Sequence, residues 1–365
     1  MKKILHTEAS LGWGGQERRI LAEALGLRQR GYEIFFAVAS GAKLAQYAKD
    51  QGFVVYEIPL KIKLGFLSLY HLVRILWRHH IEIIITHSSS DAWLGGLAGK
   101  ILGIPVIRTR HLSAPIRAGL NAKLLYKTLA QATVTTCESV AHRIRFKAGL
   151  KAEKCLSIPT GIDTEKASCS PEETAAFKKK YEIDDHHFVI GTVCILRSWK
   201  GIMDFLEGAK ILSSHPHLKW VIVGSGPSEP FFKERWHALK LEEKVIFTGH
   251  LENPYPAISC FDLFALLSTA HEGVSQASIQ AAYFSKPLIT TPVGGLPEVC
   301  LDGETGILVP KNHPQNFADA VEKLANNPTL RNLMGINAHR LVVEKFTLKR
   351  TLDEMEKMIA RVLSK

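Results

Sequence analysis

The stretch HFVIGTVCILRSWKGIMDFLEGAKILSS, residues 187–214, carries the fold in miniature. Its first eight residues are a short apolar run and read as a strand buried on both faces. CILRSWKGI (194–202) then makes a polar loop. GIMDFLEGAKILSS (201–214) follows with apolar and polar residues at helical spacing. A buried strand handed directly to an amphipathic helix is the repeating unit of a parallel sheet covered on both faces.

The same unit recurs on either side. Upstream, KILHT (3–7), EIFFAVA (33–39), VVYEIP (54–59), IEIIIT (81–86), PVIRTR (105–110) and ATVTTC (132–137) read as strands. Helix-like segments lie between them: QERRILAEALGLRQRG (16–31), SDAWLGGLAGKILG (90–103) and NAKLLYKTLAQ (121–131). Gly31 and Gly103 stand where a helix commonly ends in glycine. Downstream, KWVIVGSG (219–226), KVIFTGH (244–250), LFALLST (263–269), KPLITTP (286–292) and TGILVP (305–310) continue the strands, and PQNFADAVEKLANN (314–327) is helical. Between the two series, residues 163–187 are polar and charged, a connector with a short helix starting near Ser170 and Pro171. The pattern predicts two doubly wound α/β domains, residues 1–165 and 166–345. A long amphipathic helix, within 346–365, closes the chain. Domains of this kind are expected to face one another across a cleft, with ligands beyond the carboxyl ends of the strands.

Length and composition agree. A chain of 365 residues exceeds one ordinary domain, and 46% apolar residues can fill two cores. No run reaches the roughly 20 apolar residues of a membrane span. The apolar run after Met1-Lys2-Lys3 is too short for a signal peptide, so a cytoplasmic protein is expected. The six cysteines (137, 155, 169, 194, 260 and 300) include no CxxC pair and read as reduced thiols, with neither a zinc site nor a disulfide framework. The net charge of +11 is lopsided: residues 1–163 hold 23 Lys and Arg against 11 Asp and Glu, and the remainder is nearly balanced. Ile58–Ile81 and Ala92–Cys137 contain no acid at all, and the second carries Lys100, Arg108, Arg110, Arg117, Lys123 and Lys127. Such a field suits a phosphorylated acceptor, an anionic membrane surface or nucleic acid, and equally a merely solvated basic face.

The polar residues worth singling out fall at strand exits. Arg197 and Lys200 lie three apart before Gly201, and a planar guanidinium with an ammonium suits a diphosphate. The same pair also fits an ordinary charged surface. VIVGSGP (221–227) and IFTGHL (246–251) end strands in glycine, so Gly224 and the backbone near His250 and Leu251 can approach a ligand closely. HEGVSQASIQAA (271–282) puts Glu272 at a strand exit and starts a helix near Ser275 that runs to Phe284. Helix-start amides bind anions. Eight residues of helix span roughly 12 Å. That matches a nucleotide-sugar laid with its sugar on Glu272, its phosphates on the helix start and its ribose on Gln280. A helix-terminal carboxylate and a solvated amide are the bland readings of the same two residues. TPVGGLPEV (291–299) is a further exit with two glycines, Gly294 and Gly295. In the first domain, GWGGQERR (12–19) lacks both GxGxxG spacing and a P-loop lysine, and a loop beside a sugar phosphate fits it better. His87 and Asp91 follow one strand, and Arg110 and His111 end another.

Taken together and in order, these residues resemble a GT-B glycosyltransferase of family 4, the retaining, nucleotide-sugar-dependent group. The likeness rests on Gly14-Gly15, His111, the PTGID hinge strand (159–163), Arg197 with Lys200, GSGP, EGVSQASIQAA and PVGGLPEV, and it spans nearly the whole chain. It implies a donor-binding second domain and an acceptor-binding first domain, with the last helix crossing back onto the first. Arg197 and Lys200 would neutralise the leaving diphosphate. Glu272 would hold the donor sugar, helped by amides around Val274 and Ser275. Gly14 and Gly15 would lie against the diphosphate, and His111 beside the reacting sugar. His87, Asp91 and Arg110 are candidate acceptor contacts. No metal and no cofactor beyond the donor are implied. The family pattern has a second glutamate where this chain has Gln280, which exchanges a charge-assisted bond to the ribose for a neutral one. Donor affinity or nucleotide choice is where that exchange should be felt.

The implied activity is transfer of a sugar from a nucleoside diphosphate to a hydroxyl of a glycan or glycolipid, in cell-envelope polysaccharide or lipopolysaccharide synthesis. Rival readings are an inactive scaffold subunit, a GT-B-type epimerase, a phosphorylase and a periplasmic-type sugar binder. The interleaved apolar and basic residues of LGFLSLYHLVRILWRHH (64–80) suggest a membrane-associated acceptor and peripheral contact with the inner face of an anionic membrane, with no nucleic acid partner.

Overall fold

The computed structural model describes residues 1–60, 65–111, 116 and 118–364. Lys61 to Leu64 of the first basic stretch, Leu112 to Pro115 of the loop after Arg110, and Arg117 lie outside the described residues.

The chain divides into two units, Met1–Thr160 with Leu348–Lys365, and Gly161–Thr347. The first break therefore falls five residues before the expected 165. PTGID, expected as a hinge strand, is not one: it makes a single bridge, Ile162 to Thr347, and is shared between the units.

The first unit contains a seven-stranded parallel sheet: β1 (Lys3–Glu8), β2 (Glu33–Ala39), β3 (Val54–Ile58), β4 (Ile83–Thr86), β5 (Val106–Arg110), β6 (Ala132–Thr135) and β7 (Cys155–Ser157). The order across the sheet is β3-β2-β1-β4-β5-β6-β7, so it reverses between β1 and β4. Its helices are α1 (Gly15–Gln29), α2 (Lys43–Asp50), α3 (Gly65–His79), α4 (Ser89–Leu102), α5 (Leu120–Lys123) and α6 (Glu138–Ala148). The helix read over 121–131 is shorter than expected. It passes after Lys123 into a π turn, Leu124–Thr128.

The second unit holds a six-stranded parallel sheet: β8 (Phe188–Val193), β9 (Leu218–Val223), β10 (Val245–Gly249), β11 (Leu263–Leu266), β12 (Leu288–Thr290) and β13 (Gly306–Leu308). The order β10-β9-β8-β11-β12-β13 reverses between β8 and β11. Its helices are α7 (Pro171–Lys180), α8 (Ile202–Ile211), α9 (Glu229–Ala238), α10 (Tyr255–Cys260), α11 (Gln276–Tyr283), α12 (Pro314–Ala325) and α13 (Pro328–Lys345).

Local chemistry explains the boundaries. Every residue of β4, Ile-Ile-Ile-Thr, is buried, as a strand covered on both faces requires. Each such isoleucine contributes about 2 kcal/mol of burial. At α4, Ser88 and Asp91 form a reciprocal capping box, and Gly103 ends the helix in the left-handed conformation. Ser170, Pro171 and Glu173 start α7 in the same way. The last helix, α14 (Leu348–Leu363), returns to the first unit and buries Leu352, Met355, Met358, Ile359 and Val362. It reaches α1 at Gly26, where any Cβ would overlap the Leu352 side chain. Arg30 on the exit of α1 pairs with Asp353 and Glu356 of α14. Among the described residues no helix is long and apolar enough to cross a membrane.

Candidate active site

In the second unit the polar side chains gather where the strand order reverses. β8 runs out into Cys194–Gly201, and β11 into Leu267–Ser275. The two loops are stitched together by Thr269 N–H donating to the Trp199 carbonyl at 2.8 Å. Gly201 (φ 71°) caps α8 so tightly against β11 that a Cβ would overlap the Leu267 carbonyl. Lys200 and Glu272 are thereby brought into an ion pair, with side chains 18% and 7% exposed. Ser268 Oγ donates to the same Glu272 Oε1 at 2.6 Å. The carboxylate is thus held by an ammonium and a hydroxyl, and its backbone is fixed as well. Gly294 (φ 61°) packs so closely on Glu272 that a Cβ would overlap the Glu272 carbonyl. The glycine pair at 294–295 has this as its structural reason.

Arg197 is exposed, its guanidinium 5.2 Å from the ring centroid of Trp199. Trp199 in turn meets His271 edge-on at 5.3 Å. His271 adopts φ 59°, unusual for a non-glycine residue, directly before Glu272. Val274 is buried, Ser275 caps α11 by accepting from Ser278 N–H at 3.3 Å, and Gln280 is half-buried one turn from the end of that helix. Gly224 (φ 131°) donates to the Gly249 carbonyl at 2.9 Å, so the turn after β9 lies against the loop that carries His250 and Leu251. His250 is exposed and Leu251 half-buried. A Cβ on Gly224 would strike the Cys194 carbonyl, which ties this turn to the Arg197 loop too. One end of one sheet therefore gathers Arg197, Lys200, Gly224, His250, Leu251, Glu272, Val274 and Ser275, with the N-terminus of α11 among them, and Gln280 lies further along that helix. The arrangement offers two cations and free amides to an anion, and a fixed carboxylate to hydroxyl groups.

In the first unit a hydrogen-bonded chain crosses the strand reversal. His6 Nδ1 meets His87 Nε2 at 2.9 Å, and His87 Nδ1 meets His111 Nε2 at 3.0 Å. All three rings are buried. Burial lowers the His6 pKa to about 3 and holds His87 and His111 well below the ordinary imidazole value, so the chain is neutral at neutral pH. Asp91 is fully buried. It accepts from Thr7 Oγ1, His87 N–H, Ser88 N–H and Ser88 Oγ, each at 2.8 Å. Glu8 accepts from Ser10 N–H at 2.7 Å and from Gln16 at 2.5 Å, and its Oε1 lies 2.5 Å from Ser88 Oγ, whose single proton it shares with Asp91. Burial first, then the neighbouring Asp91 charge, push the Glu8 carboxyl up to about 7. Arg110 donates to the Tyr126 hydroxyl at 3.0 Å. Gly14, extended, precedes α1 and donates its N–H to Glu17 at 2.8 Å, while Gly15 opens the helix with free space where a Cβ would lie.

His6, Glu8, Ser88, Trp199, Ser268 and His271 belong to these clusters and were not singled out in the sequence. The available signal was position: a histidine and a glutamate inside or ending an apolar strand next to the reversal. Among the described residues, one set of three possible metal ligands, Asp184, His186 and His187, has donor atoms within 4.8 Å of one another. It precedes β8, at the opposite end of the strand from Arg197 and Lys200.

The chain matches a family model for Glycosyltransferase Family 4 over residues 13–166 and one for Glycosyl transferases group 1 over residues 173–341. It is 26% identical over 351 residues to the capsular polysaccharide biosynthesis glycosyltransferase CapM of Staphylococcus aureus, covering 91% of this chain and 90% of that one. It is 25% identical over 371 residues to the UDP-Gal:alpha-D-GlcNAc-diphosphoundecaprenol alpha-1,3-galactosyltransferase of Escherichia coli, covering 97% and 95%. Among solved structures it is similar to Anabaena HepE. The complex with UDP gives a TM-score of 0.88 at 20% identity, over 99% of this chain and 100% of that one; the complex with UDP-glucose gives 0.86 at 19% identity over the same shares. With two Rossmann-like parallel sheets and both family models in chain order, this protein belongs to the GT-B glycosyltransferases of family 4.

Proposed function

We propose that the protein is a retaining glycosyltransferase that moves a sugar from a nucleoside diphosphate to a hydroxyl of a glycan or glycolipid in cell-envelope polysaccharide or lipopolysaccharide synthesis. The observation that carries the reading is Glu272, held by Lys200 and Ser268 beside Arg197 and the start of α11. Similar proteins support the substrate class: one is named as taking UDP-Gal to a diphosphoundecaprenol acceptor, and a neighbour in fold binds UDP-glucose.

The chemistry follows from charge. Breaking the bond between the sugar carbon and the phosphate oxygen builds positive charge on the sugar and negative charge on the diphosphate. Arg197, Lys200 and the α11 amides stabilise the second charge, and a preorganised site does so with little rearrangement. Glu272 orients the sugar hydroxyls. Val274 and Ser275 supply the amides, Gly224 leaves room for the diphosphate, and the backbone at His250 and Leu251 meets the base. Gln280 takes the ribose. The acceptor oxygen bonds to the sugar carbon on the face the phosphate leaves, and its proton passes to the departing phosphate oxygen, which keeps the configuration. The first unit takes the acceptor, with neutral His111 beside the reacting sugar and His87, Asp91 and Arg110 behind it. Gly14 and Gly15 face the diphosphate. No metal enters this account, and the acceptor lies at the cytoplasmic surface of a membrane.

A panel of nucleotide-sugars tests the proposal by thermal stabilisation, followed by product analysis on the hits with and without EDTA. Stabilisation by one nucleoside diphosphate family, an EDTA-insensitive product and an unchanged anomeric configuration are expected. Absence of nucleotide binding across the panel overturns the reading, and an inverted product overturns its retaining part.

A further inference from the structure

We propose that the helix layer made by α3 and α4 on the first unit is a docking surface for an anionic bilayer, held by an aromatic and basic outer face on α3. The inference extends the membrane-surface acceptor of the proposed function by naming the surface that would reach it.

α3 has two opposed faces. Ser68, Leu72, Ile75 and Leu76 are buried. Phe66, Tyr70, Arg74 and Trp77, spaced four, four and three apart, point the other way, with Arg78 at their edge. Phe66 is 91% exposed, Trp77 72% and Tyr70 55%. A helix on a water-facing surface normally turns its apolar side inward and its polar side outward. α3 is apolar inside and aromatic with cations outside. The neighbouring helix continues the face: α3 packs along α4, which exposes Ile101 and Lys100. Asp91, the only acid on these two helices, is buried at the far end of α4. Tryptophan and phenylalanine interleaved with arginine and lysine suit the headgroup zone, where rings enter the acyl boundary and cations meet anionic phosphates. An acid-free cationic face selects a negatively charged partner, and a flat row of aromatic tips selects a fluid apolar one. An anionic bilayer meets both demands, whereas a second copy of this basic face would repel it.

The experiment is co-sedimentation of the full chain with vesicles of neutral phosphatidylcholine, alone or with added phosphatidylglycerol. Binding is expected only with the anionic lipid and should weaken as salt rises. R74E/R78E should lower the partition by roughly fivefold or more per charge, and F66S/W77S by at least about tenfold. Both variants change exposed side chains, so their unfolding midpoints and their donor-sugar hydrolysis should match the parent. That readout separates the two claims: intact hydrolysis with no vesicle binding by the parent overturns the docking surface alone. Equal binding to neutral and anionic vesicles, or parent-like binding by both variants, also overturns it. So does a lipid-free dimer of the parent that F66S/W77S dissolves, since the face would then be an interface between copies.

Discussion

Replacing Lys200 by methionine keeps an unbranched side chain, one atom shorter, and removes its charge. Glu272 is then left 7% exposed with Ser268 as its remaining named donor. At ~4 Å and an effective dielectric of ~20, the lost attraction is about 4 kcal/mol. Part of that was already offset by burying the ammonium, so K200M should destabilise the second unit by about 3 kcal/mol. Glu272→Gln should cost about 2 kcal/mol, because Lys200, 18% exposed, can turn toward water once its partner is neutral. If the two groups stabilise each other, K200M/E272Q should lose no more than the worse single variant, a coupling energy of about 2 kcal/mol. Urea unfolding of the nucleotide-free chain, followed by tryptophan fluorescence, reads all three differences, with Trp199 reporting from the neighbouring loop. Single losses that simply add, within about 0.5 kcal/mol, would refute the claim that Lys200 fixes Glu272. Turnover should fall in all three variants, since both groups belong to the proposed donor site.

The other predictions concern the site, its scaffold and pH. Arg197→Ala should reduce turnover by about a hundredfold or more through lost stabilisation of the leaving group, and Gln280→Ala should mainly raise KM; equal effects in steady-state kinetics would show the roles to be misassigned. Gly294→Ala should destabilise by about 2 kcal/mol and cut turnover, because its Cβ meets the Glu272 carbonyl at a backbone angle that favours glycine; calorimetry and kinetics that match the parent would exclude this. The histidine chain makes the first unit acid-sensitive. His6 takes up a proton at about 6.5 when unfolded and only at about 3 when folded, so stability is full above pH 6.5 and falls as pH drops toward 3. For that ring the loss between pH 7 and pH 5 is about 2 kcal/mol. Glu8 acts in the opposite sense, losing stability as pH rises from 4.5 to about 7. Urea midpoints across pH 5–7 should show a slope that His6→Leu reduces, and an unchanged slope would remove His6 from the account.

Much of the second unit was legible in the chain. The helix expected from Ser275 to Phe284 appears as Gln276–Tyr283 with those two residues as its caps, because a serine cap and an apolar face are local signals. Arg197, Lys200 and Glu272 announce themselves by lying just after apolar strands. Four features were out of reach. β7 is only three residues, Cys-Leu-Ser, with no alternation to read. The π turn at Leu124–Thr128 interrupts a segment whose local sequence reads as one continuous helix. The Lys200–Glu272 pair joins residues 72 apart, and only the β8–β11 adjacency makes it possible. The histidine chain likewise requires β1, β4 and β5 to be neighbours, an order that no local stretch encodes.

That order also separates two kinds of charge. The first half of the sequence carries the whole positive excess, and a basic substrate pocket is the simple inference from it. The structure places the polar groups of the first unit's strand reversal in a neutral or mixed network: three uncharged imidazoles, Asp91 with its bonds filled, and Glu8 near half-protonation at pH 7. Arg74, Arg78, Lys100, Lys123 and Lys127 are instead exposed on or beside the helices that cover the sheet. Buried charges must be paired or neutralised, so a site that handles hydroxyl groups can be built from neutral donors and acceptors. Exposed cations act over about 8 Å at physiological salt and suit a broad anionic surface better than a single bond. In the second unit Arg197 and Lys200 stand at the strand exits, beside the helix start proposed to meet the diphosphate. Under the two proposals made above, the exposed basic face of the first unit bears on where the protein works, and the few cations at the β8–β11 reversal on what it works on.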